Sequence, residues 1–120
     1  MSRDYRKLRV FQKADGAVIE VYRATRRFPP EERFGMQGQL RRAAVSASTN
    51  IVEGCARRTT LDYLRFLDIA SGSATEARYL LAVSARLGYM KVEDADHLSA
   101  EYDEIIAGLQ NLIASLADKQ

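Results

Sequence analysis

The sequence predicts an all-α protein, an antiparallel up-down-up-down four-helix bundle, from three observations. Four successive segments repeat apolar residues at alternating steps of three and four, the spacing that lines one face of an α-helix. Helix breakers or caps separate them: Pro29 and Pro30 with Gly35, then Thr59, then Gly88. The joins are short, which sets neighbouring helices antiparallel, and no strand alternation, hairpin signal or internal repeat competes with this reading. Residues 1–120 make one domain, with helices at about 9–27, 36–57, 60–87 and 92–117.

Residues 1–7 are polar and read as a frayed end or a basic arm. The first helix carries the seam Phe11, Ala14, Val18, Val21, Thr25 and Phe28. Gly16 lowers its intrinsic propensity by about 1 kcal/mol relative to alanine, so packing must hold it. The two prolines end it, and Glu31 to Arg33 form a short turn before a flexible join at Gly35 and Gly38.

The second helix organises the chain. Leu40, Ala43, Ala44, Ala47, Ile51 and Cys55 form its core stripe, with Gly54 at the edge, while Arg42, Ser46, Thr49 and Glu53 occupy the opposite side. A third strip, Arg41, Val45, Ser48 and Val52, carries small residues and valines where a surface helix would carry charge. Val45, Ser48 and Val52 are accordingly the expected contact with another subunit. Thr59 caps the third helix, with Asp62 three residues on. That helix is apolar over a wide arc from Tyr63 through Leu67, Ala70, Ala74, Ala77, Leu81 and Ala85, flanked by Phe66, Ile69, Leu80 and Leu87, and is expected to be the most buried. Gly88 stops it. The fourth repeats Ala95, Leu98, Tyr102, Ile105, Leu109, Leu112 and Leu116, widened by Ile106 and Ile113.

Composition bounds the function. Hydrophobic residues at 47% and charged residues at 28% are those of a globular domain. The charged N-terminus lacks the apolar run of a signal peptide, and no stretch approaches the ~18 apolar residues of a membrane span, so the expected location is cytoplasmic. The lone Cys55 lies on the core stripe and reads as a buried thiol. A di-iron bundle repeats its carboxylate-histidine motif and adds further glutamates. This chain has one histidine, His97, three residues after Asp94. Asn50 and Glu53 are the strongest polar pair, but they read as diverging, the amide tied to nearby backbone and the carboxylate paired to Arg42, Arg57 or another subunit. The expected protein is non-enzymatic, with no metal and no cofactor.

Charge is the remaining chemistry. Net charge is +2, yet up to Arg58 there are 13 basic residues against 6 acidic, and afterwards 5 against 10. The first half either offers a surface to an anionic partner or pairs with the acidic half inside the bundle. Arg26 and Arg27 close the first helix, Arg41 and Arg42 sit in the second, and Arg57 and Arg58 close it. These six are the candidate contacts to nucleic acid, with phosphate backbones as partner and no module for base-specific readout.

The run EERFG at 31–35, QLRRAAVS at 39–46, NIVEG at 50–54, YLRFLDIASGSATEARYLL at 63–81 and LGY at 87–89 resembles the ribosomal-RNA intervening-sequence proteins. By position, Gln39, Arg41, Arg42, Ser46, Asn50, Glu53, Gly54, Arg58, Gly72, Ser73, Glu76, Gly88 and Tyr89 match that family's pattern, while Ala47-Ser48-Thr49 replaces a proline-containing triplet common in relatives. The resemblance implies a bacterial four-helix bundle that assembles into rings, pentamers in known cases. It also implies kinship with the accessory variability determinants of diversity-generating retroelements, which bind nucleic acid and a reverse transcriptase. The expected function is a homo-oligomeric scaffold for RNA or DNA without sequence preference. The alternative is an adaptor that docks a reverse transcriptase or another protein without touching nucleic acid.

Overall fold

The computed structural model describes residues 3–118. Four helices follow in chain order: α1 (Arg9–Ala24), α2 (Met36–Cys55), α3 (Thr60–Arg86) and α4 (Val92–Ala117), with 3-10 turns at Tyr5–Lys7 and Pro30–Glu32. Consecutive helices pack side by side and α1 closes against α4, giving the up-down-up-down bundle. One core runs through all four, and its largest fully buried side chains include Tyr102, Leu40, Ile51, Leu67, Leu81, Ile105 and Leu109.

The predicted α2 stripe is buried in full, Gly54 and Cys55 included. A Cβ on Gly54 would stand 2.9 Å from Phe66 Cβ and 3.1 Å from Tyr63 Cδ1, so the missing side chain sets how closely α2 and α3 approach. Ser46 Oγ and Ser73 Oγ meet at 2.8 Å across the same seam. The α3 start is as expected, Asp62 N donating to Thr59 Oγ1 at 3.1 Å. Its end is a Schellman turn, in which Gly88 at φ 76° lets Tyr89 N reach Ser84 O at 2.9 Å.

Other expectations are corrected. The buried seam of α1 is Val10, Ala14, Ala17 and Val21, while Phe11 and Val18 are half-buried. Both stripes obey three-and-four spacing, and the small Ala17 hid the true one. The helix also stops at Ala24, short of Arg27. Thr25 Oγ1 bonds back to Val21 O at 2.8 Å, and residues 25–27 turn so that Phe28 folds inward against Tyr89, ring centroids 5.6 Å apart, ahead of the extended backbone that Pro29 requires. Similarly α2 ends at Cys55, leaving Arg57 and Arg58 in the loop. The most buried helix is α2, with eight of 20 residues buried against nine of 27 in α3, because Leu61, Ile69, Tyr79 and Leu87 of α3 and its C-cap face outward.

Residues 3–7 are not frayed. Asp4 caps the first turn by accepting from Arg6 N at 3.0 Å, and Arg3 donates to Arg57 O at 3.2 Å with its guanidinium 4.2 Å above the Tyr63 ring. Residues 1 and 2 of the expected arm lie outside the described residues. Nor is the join before α2 flexible. Glu32 Oε1 caps the helix by accepting from Met36 N at 2.8 Å, and a Cβ on Gly38 would lie 2.9 Å from Arg33 O, so the loop folds tightly over the first turn. No helix is long and apolar enough to cross a membrane among the described residues.

Candidate nucleic-acid interface

The six arginines occupy two separate places. Arg26 and Arg27 are exposed on the turn after α1, beside the first half of α2 where Arg41 and Arg42 stand. Arg57 and Arg58 lie beyond the other end of that helix, whose 20 residues span about 30 Å. The three expected pairs thus form two basic ends of one bundle, Arg41 and Arg42 lying with Arg26 and Arg27. Among the described residues none of the six forms an ion pair. The pairs lie elsewhere: Lys13 with Glu104, Arg78 with Asp103, Arg65 with Asp62, Arg6 with Asp4, and His97 with Glu20 at 3.3 Å. Acidic residues of the second half thus take Lys13 of the basic half, and the six arginines keep their charge uncompensated by a carboxylate contact.

At the first end a groove of about 680 Å³ runs along α2. Arg41 forms part of its wall and is held rigidly. Its Nε donates to Thr25 Oγ1 at 2.8 Å, a second guanidinium nitrogen donates to Tyr22 O at 3.2 Å, and the group lies 4.4 Å from the Tyr22 ring centroid. Gln37 Nε2 adds a bond to Thr25 O at 2.7 Å. This guanidinium satisfies the carbonyl end of α1 and complements its dipole, so its first role is to join α1 to α2. Arg42 is exposed and lines the groove with Arg33, Phe34, Ser46 and Thr49.

Asn50 and Glu53 close the far part of this groove. They do not diverge as expected, because residues three apart on a helix are neighbours. Asn50 Nδ2 donates to Ser46 O at 2.8 Å and Ser46 Oγ at 3.1 Å, the backbone tie foreseen. Glu53 makes no ion pair with Arg42 or Arg57 among the described residues; its carbonyl oxygen accepts from Arg57 Nε at 3.2 Å instead. At the second end Arg57 lies 5.1 Å from the Phe66 ring centroid, and Arg57, Arg58, Thr59 and Asp62 frame a shallow concavity.

Burial pushes the Cys55 thiol up from its ordinary range, and its Sγ lies 3.8 Å from the Tyr63 hydroxyl, an inert position rather than a nucleophilic one. Among the described residues no three of His, Cys, Asp or Glu converge as a metal centre would need.

A family model described as 23S rRNA-intervening sequence protein matches residues 6–111. The chain belongs to that family. A crystal structure of an S23 ribosomal protein family member of unknown function, from Bacteroides thetaiotaomicron, shares the fold: TM-score 0.78 at 24% identity, covering 87% of this chain and 97% of that one. No curated protein matches.

In this intervening-sequence protein the three residues expected at a subunit contact lie together on one groove. Val45 is 38% exposed, Val52 is half-buried, and both line a groove of about 230 Å³ with Phe11 and Val18 of α1. Ser48 is buried at its floor, its hydroxyl without a partner among the described residues, so it is not the surface residue expected. This groove meets the basic one at Val45 and Thr49. The residues that sequence reasoning missed are Arg33, Phe34 and Tyr22. Phe34 carried a signal: a large aromatic beside a glycine, off every helical seam, has no core position to fill.

Proposed function

We propose that this family member is a non-enzymatic, homo-oligomeric bundle that holds RNA or DNA through its phosphate backbone and serves as a ribonucleoprotein scaffold. The observation that supports this reading is that, among the described residues, none of the six arginines at the two ends of α2 pairs with a carboxylate, although Glu53 lines the groove with Arg41 and Arg42 and Asp62 the concavity with Arg57 and Arg58. Phosphate is the anion whose geometry a guanidinium fork matches. Association would repeat each basic end around the assembly, so a subunit of net charge +2 presents a larger local field. The exposed edges of the Phe11, Val18, Val45 and Val52 groove are the surface on which copies would meet.

The test is fluorescence anisotropy with labelled RNA and DNA over a salt series. Binding should weaken steeply with salt and be indifferent to sequence. Reversing Arg26, Arg27, Arg57 and Arg58 to glutamate should reduce affinity at least tenfold. Undetectable binding at low salt, or binding unchanged by reversal, refutes the proposal. A stoichiometric protein partner co-purifying in place of nucleic acid would instead support the adaptor role, with a reverse transcriptase as one such partner.

A further inference from the structure

The groove beside Arg33 and Arg42 has a second chemistry that backbone neutralisation alone does not use. Phe34 is 84% exposed, the most open of the large hydrophobic side chains among the described residues. The backbone that carries it is held by its neighbours. The loop carrying it is closed by the Glu32 cap on Met36 N and by the close approach of Arg33 O to Gly38, so the ring projects from a hydrogen-bonded turn. The Arg33 guanidinium lies 5.4 Å from the Phe34 ring centroid, and across the groove Arg41 lies 4.4 Å from that of Tyr22, itself 40% exposed. Two arginine-aromatic pairs thus wall one channel, in which three guanidinium groups face the single carboxylate of Glu53.

We infer that this groove takes single-stranded nucleic acid, with a base stacked on Phe34 and the adjoining phosphates on Arg33 and Arg42. This rests on the nucleic-acid reading above and narrows it. A flat, wet aromatic ring beside cations is the arrangement on which unpaired bases stack, and every base has such a face, so the mode carries no sequence preference. A duplex buries its base faces in its own stack and offers the groove phosphates alone. The backbone of the turn is already ordered by these bonds, which lowers the cost of placing the ring on a base.

The test compares a labelled oligothymidylate of about 16 nucleotides, enough to cover a site of this kind, with a duplex of equal length, on the native protein, Phe34→Ala and Phe34→Tyr. The single strand is expected to bind at least tenfold tighter than the duplex. Phe34→Ala should remove that advantage while leaving duplex binding and sedimenting mass unchanged, and Phe34→Tyr should keep it. Equal affinity for both probes, or no effect of Phe34→Ala on the single strand, overturns this inference and leaves backbone binding standing. A change in mass with Phe34→Ala also overturns it, by making the ring a subunit contact. Absence of binding to either probe at low salt overturns both proposals.

Discussion

The Tyr89 hydroxyl donates to Glu32 Oε2 at 3.2 Å, while the other oxygen of that carboxylate accepts from Met36 N at 2.8 Å. One side chain therefore caps α2 and joins the α1–α2 loop to the α3–α4 loop at the basic end of the bundle. The same arrangement pushes the Tyr89 phenol up, through burial first and then through the charge and hydrogen bond of Glu32. Glu32→Ala should cost about 1 kcal/mol, the worth of a lost helix cap, read as a lower urea midpoint. Glu32→Gln keeps an acceptor and should cost less.

Two helical glycines should respond with opposite sign to alanine. Nothing stands within 4 Å of a Cβ on Gly16, so Gly16→Ala should stabilise by about 0.5–1 kcal/mol through propensity and unfolded-state entropy. At Gly54 the new methyl meets Phe66 and Tyr63 of α3, and Gly54→Ala should destabilise by about 1–3 kcal/mol. Thermal unfolding followed by circular dichroism separates the two, and equal shifts would contradict the packing described.

Alkali should destabilise the protein through its buried thiol and phenols. Burial holds the Cys55 thiol and the Tyr63 and Tyr102 phenols above their ordinary values, near 9 for the thiol and 10 for the phenols. Folded-state values raised in this way mean that the unfolded chain releases these protons first. Their stabilisation is complete below the ordinary values and is lost as pH rises towards the folded ones. The urea midpoint should fall between about pH 9 and pH 11. Tyr102 sharpens the test, because its buried hydroxyl has no hydrogen-bond partner among the described residues. Tyr102→Phe should raise stability by about 1 kcal/mol at neutral pH and make the alkaline decline shallower.

On the oligomer proposal, Val45→Glu with Val52→Glu places charge on the rim and wall of the apolar groove between α1 and α2. Helicity should persist and the sedimenting mass should move towards the monomer. An unchanged mass would place the subunit contact on another face, such as that bearing the exposed Ile69 of α3.

Arg41 and Arg42, neighbours in sequence, should separate by experiment. Arg41→Ala removes the bonds to Thr25 Oγ1 and Tyr22 O and should lower stability by about 1–2 kcal/mol. Arg42→Ala should leave the urea midpoint within about 0.5 kcal/mol, as at exposed sites without partners, and weaken nucleic-acid binding instead.

By itself the sequence determined the four helices, the α2 stripe from Leu40 to Cys55, the Thr59 cap and the Gly88 stop, because each depends on residues within a turn or two of one another. Helical periodicity reports which residues share a face, and a cap reports its own helix end. It could not choose between Phe11–Val18 and Val10–Ala17 as the seam of α1, since both keep the spacing and only the neighbouring helices decide which is covered. Tertiary structure alone joined Arg41 and Arg42 to the Arg26 end, turned Arg41 from a surface cation into the tie on Thr25, and set Asn50 and Glu53 in one groove with Phe34. Those outcomes hang on distances between residues remote in the chain, which packing sets and local pattern does not encode.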